Sequence, residues 1–227
     1  YPSLQKSLQE LIKNKLTTVQ RLDLSNDYIC NGYTLKGVLK ADMENIRATM
    51  EKINYSTFED VINNIFEAKR IYIVGLRSSM ALAEFLGFYL NVILQNVKTV
   101  GYGISDIFEE MINVGEGDLV IGIGFPRYAN RTIDVLSFAQ DRGATVVALT
   151  DSIVSPLAQR ADYALIAQSN MASFVDSLVA PLSVINALII AVGLRQKESV
   201  STTFNSLEEI WKEYNVYSYN HNNDDEF

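Results

Sequence analysis

Ile71-Tyr72-Ile73-Val74-Gly75-Leu76-Arg77-Ser78-Ser79-Met80 is a short apolar run, rich in β-branched residues, that stops at a glycine and passes through two serines into a helical pattern. Four similar runs follow, at 97–100, 119–123, 145–149 and 163–167. Each is apolar without alternation, the pattern of a strand covered on both faces. A helical stretch is expected after each run. Units of this kind in succession predict a parallel sheet with helices on both sides, a three-layer α/β/α sandwich with right-handed crossovers.

Upstream of this core lie two helical stripes. Val38, Leu39, Met43, Ile46 and Met50 form one; Phe58, Val61, Ile62, Ile65 and Phe66 form the other, opened by the capping signal Ser56-Thr57-Phe58-Glu59. Residues 23–34 are polar, with Asn and Gly punctuation, and read as a linker. Before them, Leu4, Leu8, Leu11, Ile12 and Leu16 keep helical spacing behind Pro2. Downstream, a helix is expected from 174 to about 194 and another from near Phe204, carrying Leu207, Ile210 and Trp211. Residues 178–194 hold no charge but are interrupted by Pro181, Ser183 and Asn186. The run falls short of the ~20 apolar residues of a membrane span. It is expected to be a buried helix, with Val184, Leu188 and Val192 packed against a second copy of the chain.

The 227 residues carry a formal charge of −8, a poor balance for gripping nucleic acid. Residues 1–22 hold Lys6, Lys13, Lys15 and Arg21 against Glu10, a net of +3, and residues 198–227 hold seven acids against Lys212, a net of −6. The plain reading of this asymmetry is two solvated ends. Cys30 is the single cysteine and His221 the single histidine, so an intramolecular disulfide and a Cys/His zinc site are excluded. This composition suits a reducing, cytoplasmic setting, and the polar opening shows no secretory h-region.

Open parallel sheets bind ligands beyond the carboxyl ends of their strands. After the first strand, Arg77, Ser78 and Ser79 bring a cation and two hydroxyls to a helix start, where free N–H groups and the helix dipole favour an anion. The alternative is a serine helix cap with no ligand. After the third strand comes Gly124-Phe125-Pro126-Arg127-Tyr128, with Arg127 suited to a bidentate phosphate or carboxylate contact, or else to a surface pair with Asp134. After the fourth, Asp151 and Ser152 could meet sugar hydroxyls or cap a helix beginning near Pro156. Ser105, Asp106 and Glu109 form another cap-like cluster at this edge. The chain has neither the G-x-G-x-x-G nor the G-x-x-x-x-G-K-[ST] pattern, so dinucleotide and Walker-type sites are not expected, and no cofactor or metal is called for.

Three spaced motifs carry a family likeness: Gly75-x-Arg77-Ser78-Ser79, Gly124-Phe125-Pro126-Arg127-Tyr128, and Leu149-Thr150-Asp151-Ser152 with Ser155-Pro156-Leu157-Ala158. Together, over about residues 36–195, they resemble the sugar isomerase (SIS) domain of RpiR/MurR-type bacterial transcriptional regulators. Tyr1-Pro2-Ser3-Leu4-Gln5 is similar to the last helix of that family's helix-turn-helix domain. The resemblance implies a five-stranded parallel sheet of order 2-1-3-4-5 and a homodimer or tetramer. It also implies an effector, a phosphorylated sugar or sugar acid, with Ser78 and Ser79 on phosphate-binding positions. By this reading residues 1–35 are the end of the helix-turn-helix domain plus linker, 36–200 the SIS domain, and 201–227 a C-terminal helix and acidic tail. DNA would be met only through the helix-turn-helix domain, largely absent from this chain, and no membrane is involved.

One loop departs from the family. The common Ser-x-Ser-Gly-x-Thr after the third strand is replaced by 124–129, where an arginine stands in for hydroxyls. SIS isomerases commonly use a Glu and a His, and residues 36–200 contain no histidine. Asp106, Glu109 or Glu84 could act as a base but none has a paired acid. A sensor is therefore expected, rather than a stand-alone aldose–ketose isomerase.

Overall fold

Strands β1 (Ile71–Gly75), β2 (Val97–Val100), β3 (Leu119–Ile123), β4 (Thr145–Thr150) and β5 (Tyr163–Ile166) form a 5-stranded sheet of order β2-β1-β3-β4-β5 with every pair parallel. In this computed structural model residues 16–22, 34–101, 103, 106–171 and 173–218 are described. The expected helix from Leu4, the linker over 23–33, Cys30, Ser105 and His221 lie outside them. Successive strand side chains point to opposite faces. Ile71, Ile73, Leu119, Ile121, Val147 and Leu149 therefore enter one apolar cluster, and Tyr72, Val74, Val120, Val146 and Ala148 the other.

Helix α1 (Thr34–Lys52) packs on α6 (Val179–Arg195); the first cluster is roofed by α2 (Tyr55–Glu67), α3 (Met80–Leu94), α6 and α7 (Lys197–Glu213), the second by α4 (Ile107–Glu110) and α5 (Asn130–Asp141). This is the three-layer sandwich expected from the strand pattern. Burial on both faces holds for β1 and β3 throughout, whereas the edge strands β2 and β5 are partly exposed.

Several local expectations are corrected. No α-helix follows β4. Thr150 Oγ1 and Ser155 Oγ are hydrogen-bonded at 3.1 Å, drawing the chain back to the strand end, and only a 3-10 turn, Ala158–Arg160, fits before β5. After β2 the helix is a single turn, capped by Asp106, whose carboxylate accepts from Phe108 N while Glu109 accepts from Asp106 N. The cap of α2 is Asn54, accepting from Thr57 N at 3.2 Å, not Ser56. α6 starts at Val179 rather than 174, and α7 at Lys197 rather than 204.

Val184, Leu188 and Val192 are buried in the chain's own core, so they are not the contact surface for a second copy. A helix apolar on all sides gives no facing signal, and the sheet takes these residues. No single helix among the described residues is long and apolar enough to cross a membrane.

Two polar clasps fix the ends of the sheet. At the amino ends, Arg70 turns Nε and Nη2 onto both oxygens of Asp118, at 3.0 and 2.8 Å. Beyond the carboxyl end of β5, Asn45 of α1 donates to Asn170 O and accepts from Asn170 N, and Thr49 Oγ1 accepts from Gln168 N at 2.8 Å. Ser177 donates to Asp42 at 2.6 Å, so one polar stripe of α1 holds the 168–177 loop.

Gly75 is where β1 turns into α3. A Cβ there would lie 2.6 Å from the Ser79 carbonyl oxygen, a backbone atom with little freedom to yield. Gly75→Ala is therefore expected to destabilise the domain by about 1–3 kcal/mol, read as a lower urea midpoint at unchanged slope. An unchanged midpoint would show that this turn tolerates a side chain.

Candidate functional site

The sheet order decides which loops meet. Gly75 is registered with Ile123, and Ile123 with Leu149, so the loops leaving β1, β3 and β4 emerge side by side at one edge. Gly124 N donates to Leu149 O at 3.1 Å and extends the pairing one residue past β3.

The β1 loop is a 3-10 turn, Arg77–Ser79, running directly into α3. Arg77 has φ of 57°, a left-handed backbone that costs a non-glycine residue on the order of 1 kcal/mol. Arg77 and Ser78 are exposed, whereas Ser79 is buried, at 4%. Ser79 occupies the cap position of α3, yet its side chain makes no capping hydrogen bond. The plain helix-cap reading of these serines does not hold.

In the β3 loop Phe125 turns into the apolar core and Arg127 is exposed. Arg127 does not pair with Asp134. Its Nη1 donates to Thr18 Oγ1 at 2.8 Å, bringing the 16–22 segment to this edge. Tyr128 donates to Asp151 Oδ1 at 2.7 Å, and burial, followed by the Asp151 charge, pushes its phenol far above the usual tyrosine range.

In the β4 loop, then, Asp151 is held by Tyr128 and by Thr150 Oγ1. Ser152 Oγ accepts from Val154 N in a local turn. Neither residue caps a helix; Ser155 Oγ accepts from Ala158 N at 3.1 Å, at the entry to the 3-10 turn.

The structure adds residues that the sequence reading missed. Arg21 is not a solvated basic residue. It is buried, with Nη1 at 3.4 Å from Asp176 Oδ1. Burial raises the Asp176 carboxyl above its ordinary range, and the charges of Arg21 and Arg127 pull it back. The polar spacing of Asp42, Asn45 and Thr49 along α1 was a visible signal for the clasp on the 168–177 loop. The Arg21–Asp176 contact had none, because 155 residues separate the partners.

At this edge, then, Arg77, Ser78 and Ser79 stand at the start of α3 and Arg127 in the loop after the neighbouring strand β3. Two of the three carboxylates that could act as bases are otherwise engaged. Asp106 caps α4 and pairs with Arg131 at 2.7 Å, and Glu109 reaches back to Asp106 N. Glu84 is exposed on α3.

The family model described as the SIS domain matches residues 64–191, more than half of the chain. The chain belongs to the SIS domain family. The sugar isomerase domain of the RpiR transcription factor from Sphaerobacter thermophilus is 29% identical, with a TM-score of 0.75 over 78% of this chain and 99% of that one. The Vibrio vulnificus NanR protein, solved in complex with ManNAc-6P, shares the SIS fold at 18% identity, with a TM-score of 0.68 over 90% of this chain and 78% of that one. An uncharacterized HTH-type transcriptional regulator from Haemophilus influenzae is 30% identical over 118 residues, 52% of this chain and 41% of that protein. The chain thus spans about two fifths of the length of that regulator.

Proposed function

We propose that this SIS domain is the effector-sensing part of an RpiR-type transcriptional regulator. It binds a phosphorylated sugar or sugar acid at the carboxyl ends of β1, β3 and β4 and so modulates DNA binding by a helix-turn-helix domain. The observation that carries the reading is the β1 loop. Ser79 lies at the start of α3 with its hydroxyl spared from capping, beside a strained Arg77 and next in the sheet to the arginine loop of β3. Such a loop holds an anion through N–H groups, hydroxyls and guanidinium groups without proton chemistry. The relatives named as transcriptional regulators support the sensing role over isomerisation. So does the engagement of Asp106, Glu109 and Asp151 in caps and hydrogen bonds. Asp151 and Ser152 border the sugar end of the site in this reading, and Phe125 forms its apolar floor.

The domain works as a homodimer or tetramer. The surface available for this is α1, where Leu35, Leu39, Met43, Ile46 and Met50 are exposed along one helix. Beside them a groove of about 320 Å³ runs between α1, α2 and α6. An apolar stripe of this length is costly to leave in water.

Two measurements test the proposal. In a thermal-shift screen of phosphosugars and sugar acids, a ligand at about a hundredfold its Kd adds ~2.7 kcal/mol, or roughly 5–10 °C for a domain of this size. In calorimetry of the best ligand, Arg127→Ala is expected to cost about ten- to a hundredfold in affinity and Ser79→Ala about 1 kcal/mol. A flat screen contradicts the reading. Light scattering at tens of micromolar is expected to give a dimer or larger, and Met43→Glu to shift it toward monomer; a monomeric wild type contradicts the assembly.

A further inference from the structure

Arg21 is a buried charge with an incomplete set of partners. Its side chain is 4% exposed, and its contact with Asp176 is long, at 3.4 Å. Nε and Nη2 are buried and meet no hydrogen-bond acceptor among the described residues. A guanidinium taken out of water and short of acceptors is costly to hold. Arg70 shows, in the same molecule, what this Nε/Nη2 edge does when satisfied: it grips both oxygens of one carboxylate. The edge fits phosphate equally well.

Position joins chemistry. Thr18, one helical turn before Arg21, accepts from Arg127 at the end of β3. Asp176, the partner of Arg21, lies within electrostatic reach of both Arg127 and Asp151. Arg21 therefore stands over the strand ends, on a segment separated from them by about a hundred residues of chain.

We infer that Arg21 is an oxyanion-binding residue of the strand-end site, whose Nε/Nη2 edge takes a phosphate or carboxylate group of the bound ligand. The inference rests on the phosphosugar reading of that site. Asp176 stays on Nη1, and its negative charge opposes an anion arriving on the neighbouring Nε/Nη2 edge. Binding then fastens the 16–22 segment to the ends of β3 and β5, so occupancy of the site is felt by the chain on the amino side of the SIS domain.

The test compares wild type with R21Q, R21K and D176N, using millimolar inorganic phosphate, glucose 6-phosphate and gluconate as probes in thermal shift and calorimetry. Wild type is expected to respond to at least one probe. Phosphate and gluconate distinguish the two kinds of oxyanion, and a response to either supports the inference. R21Q and R21K are expected to bind about tenfold more weakly or worse, R21K because it keeps the charge but loses the fork. D176N is expected to bind more tightly, an outcome that a purely structural ion pair would not give. If R21Q does not fold, R21Q/D176N removes both buried charges together, and its loss of response counts in the same way. Should wild type respond and R21Q/D176N or R21Q respond equally, the site reading stands and Arg21 is only a partner of Asp176. Should wild type respond to none of the probes, both the site reading and the inference fall.

Discussion

The close approach of the Ser79 carbonyl to Gly75 is the constraint on which the site depends. A parallel strand must be followed by a crossover helix, and here the chain passes from β1 to α3 through one 3-10 turn. The lack of a side chain at Gly75 permits that turn. In return, the start of α3 is brought over the strand end, Arg77 is forced into a left-handed backbone, and Ser79 is buried where its hydroxyl makes no cap. The order of the sheet supplies the remainder. With β1 and β3 abreast, the start of α3 is neighbour to the loop that carries Arg127 without any further device.

The edge is then a balance of charges. Arg77 and Arg127 stand exposed, and Arg21 is buried against Asp176. Asp151 is tempered by Tyr128, whose own ionisation is suppressed by burial and by that carboxylate. Asp176 is tempered by Arg21. The loop carrying Asp176 is clasped in turn by Asp42, Asn45 and Thr49 of α1, the helix whose outer face is apolar. Contacts therefore run without a gap from the strand-end site through the 168–177 loop to the face proposed to meet a second copy.

The strands were legible because continuous apolar runs bounded by turn residues have few other readings. All five appear within a residue or so of their expected bounds. The loops that follow β1, β3 and β4 were legible for the same reason, since an open parallel sheet exposes its strand ends in a known direction. What a run of sequence does not carry is which of two equivalent residues takes a local role. Asn54 rather than Ser56 caps α2, and Ser155 rather than Ser152 takes the Ala158 N–H in the turn after β4, each decided by where the chain enters. The apolar helix α6 had no visible outward face, which is why Val184, Leu188 and Val192 were expected at an interface and lie in the core. Arg21 was the least legible of all, because its burial depends on tertiary contacts from two distant loops.

The central claim is that an anionic sugar ligand is held at the carboxyl ends of β1 and β3. Backbone hydrogen exchange, with and without the phosphosugar that gives the largest thermal shift, tests it most directly. The account expects exchange to slow at residues 76–82 and 124–132 and to change little in α2 and at the amino ends of the strands around Arg70 and Asp118. Protection confined to the groove between α1 and α6, or to the junction of α6 and α7, with residues 76–82 unchanged, would contradict it.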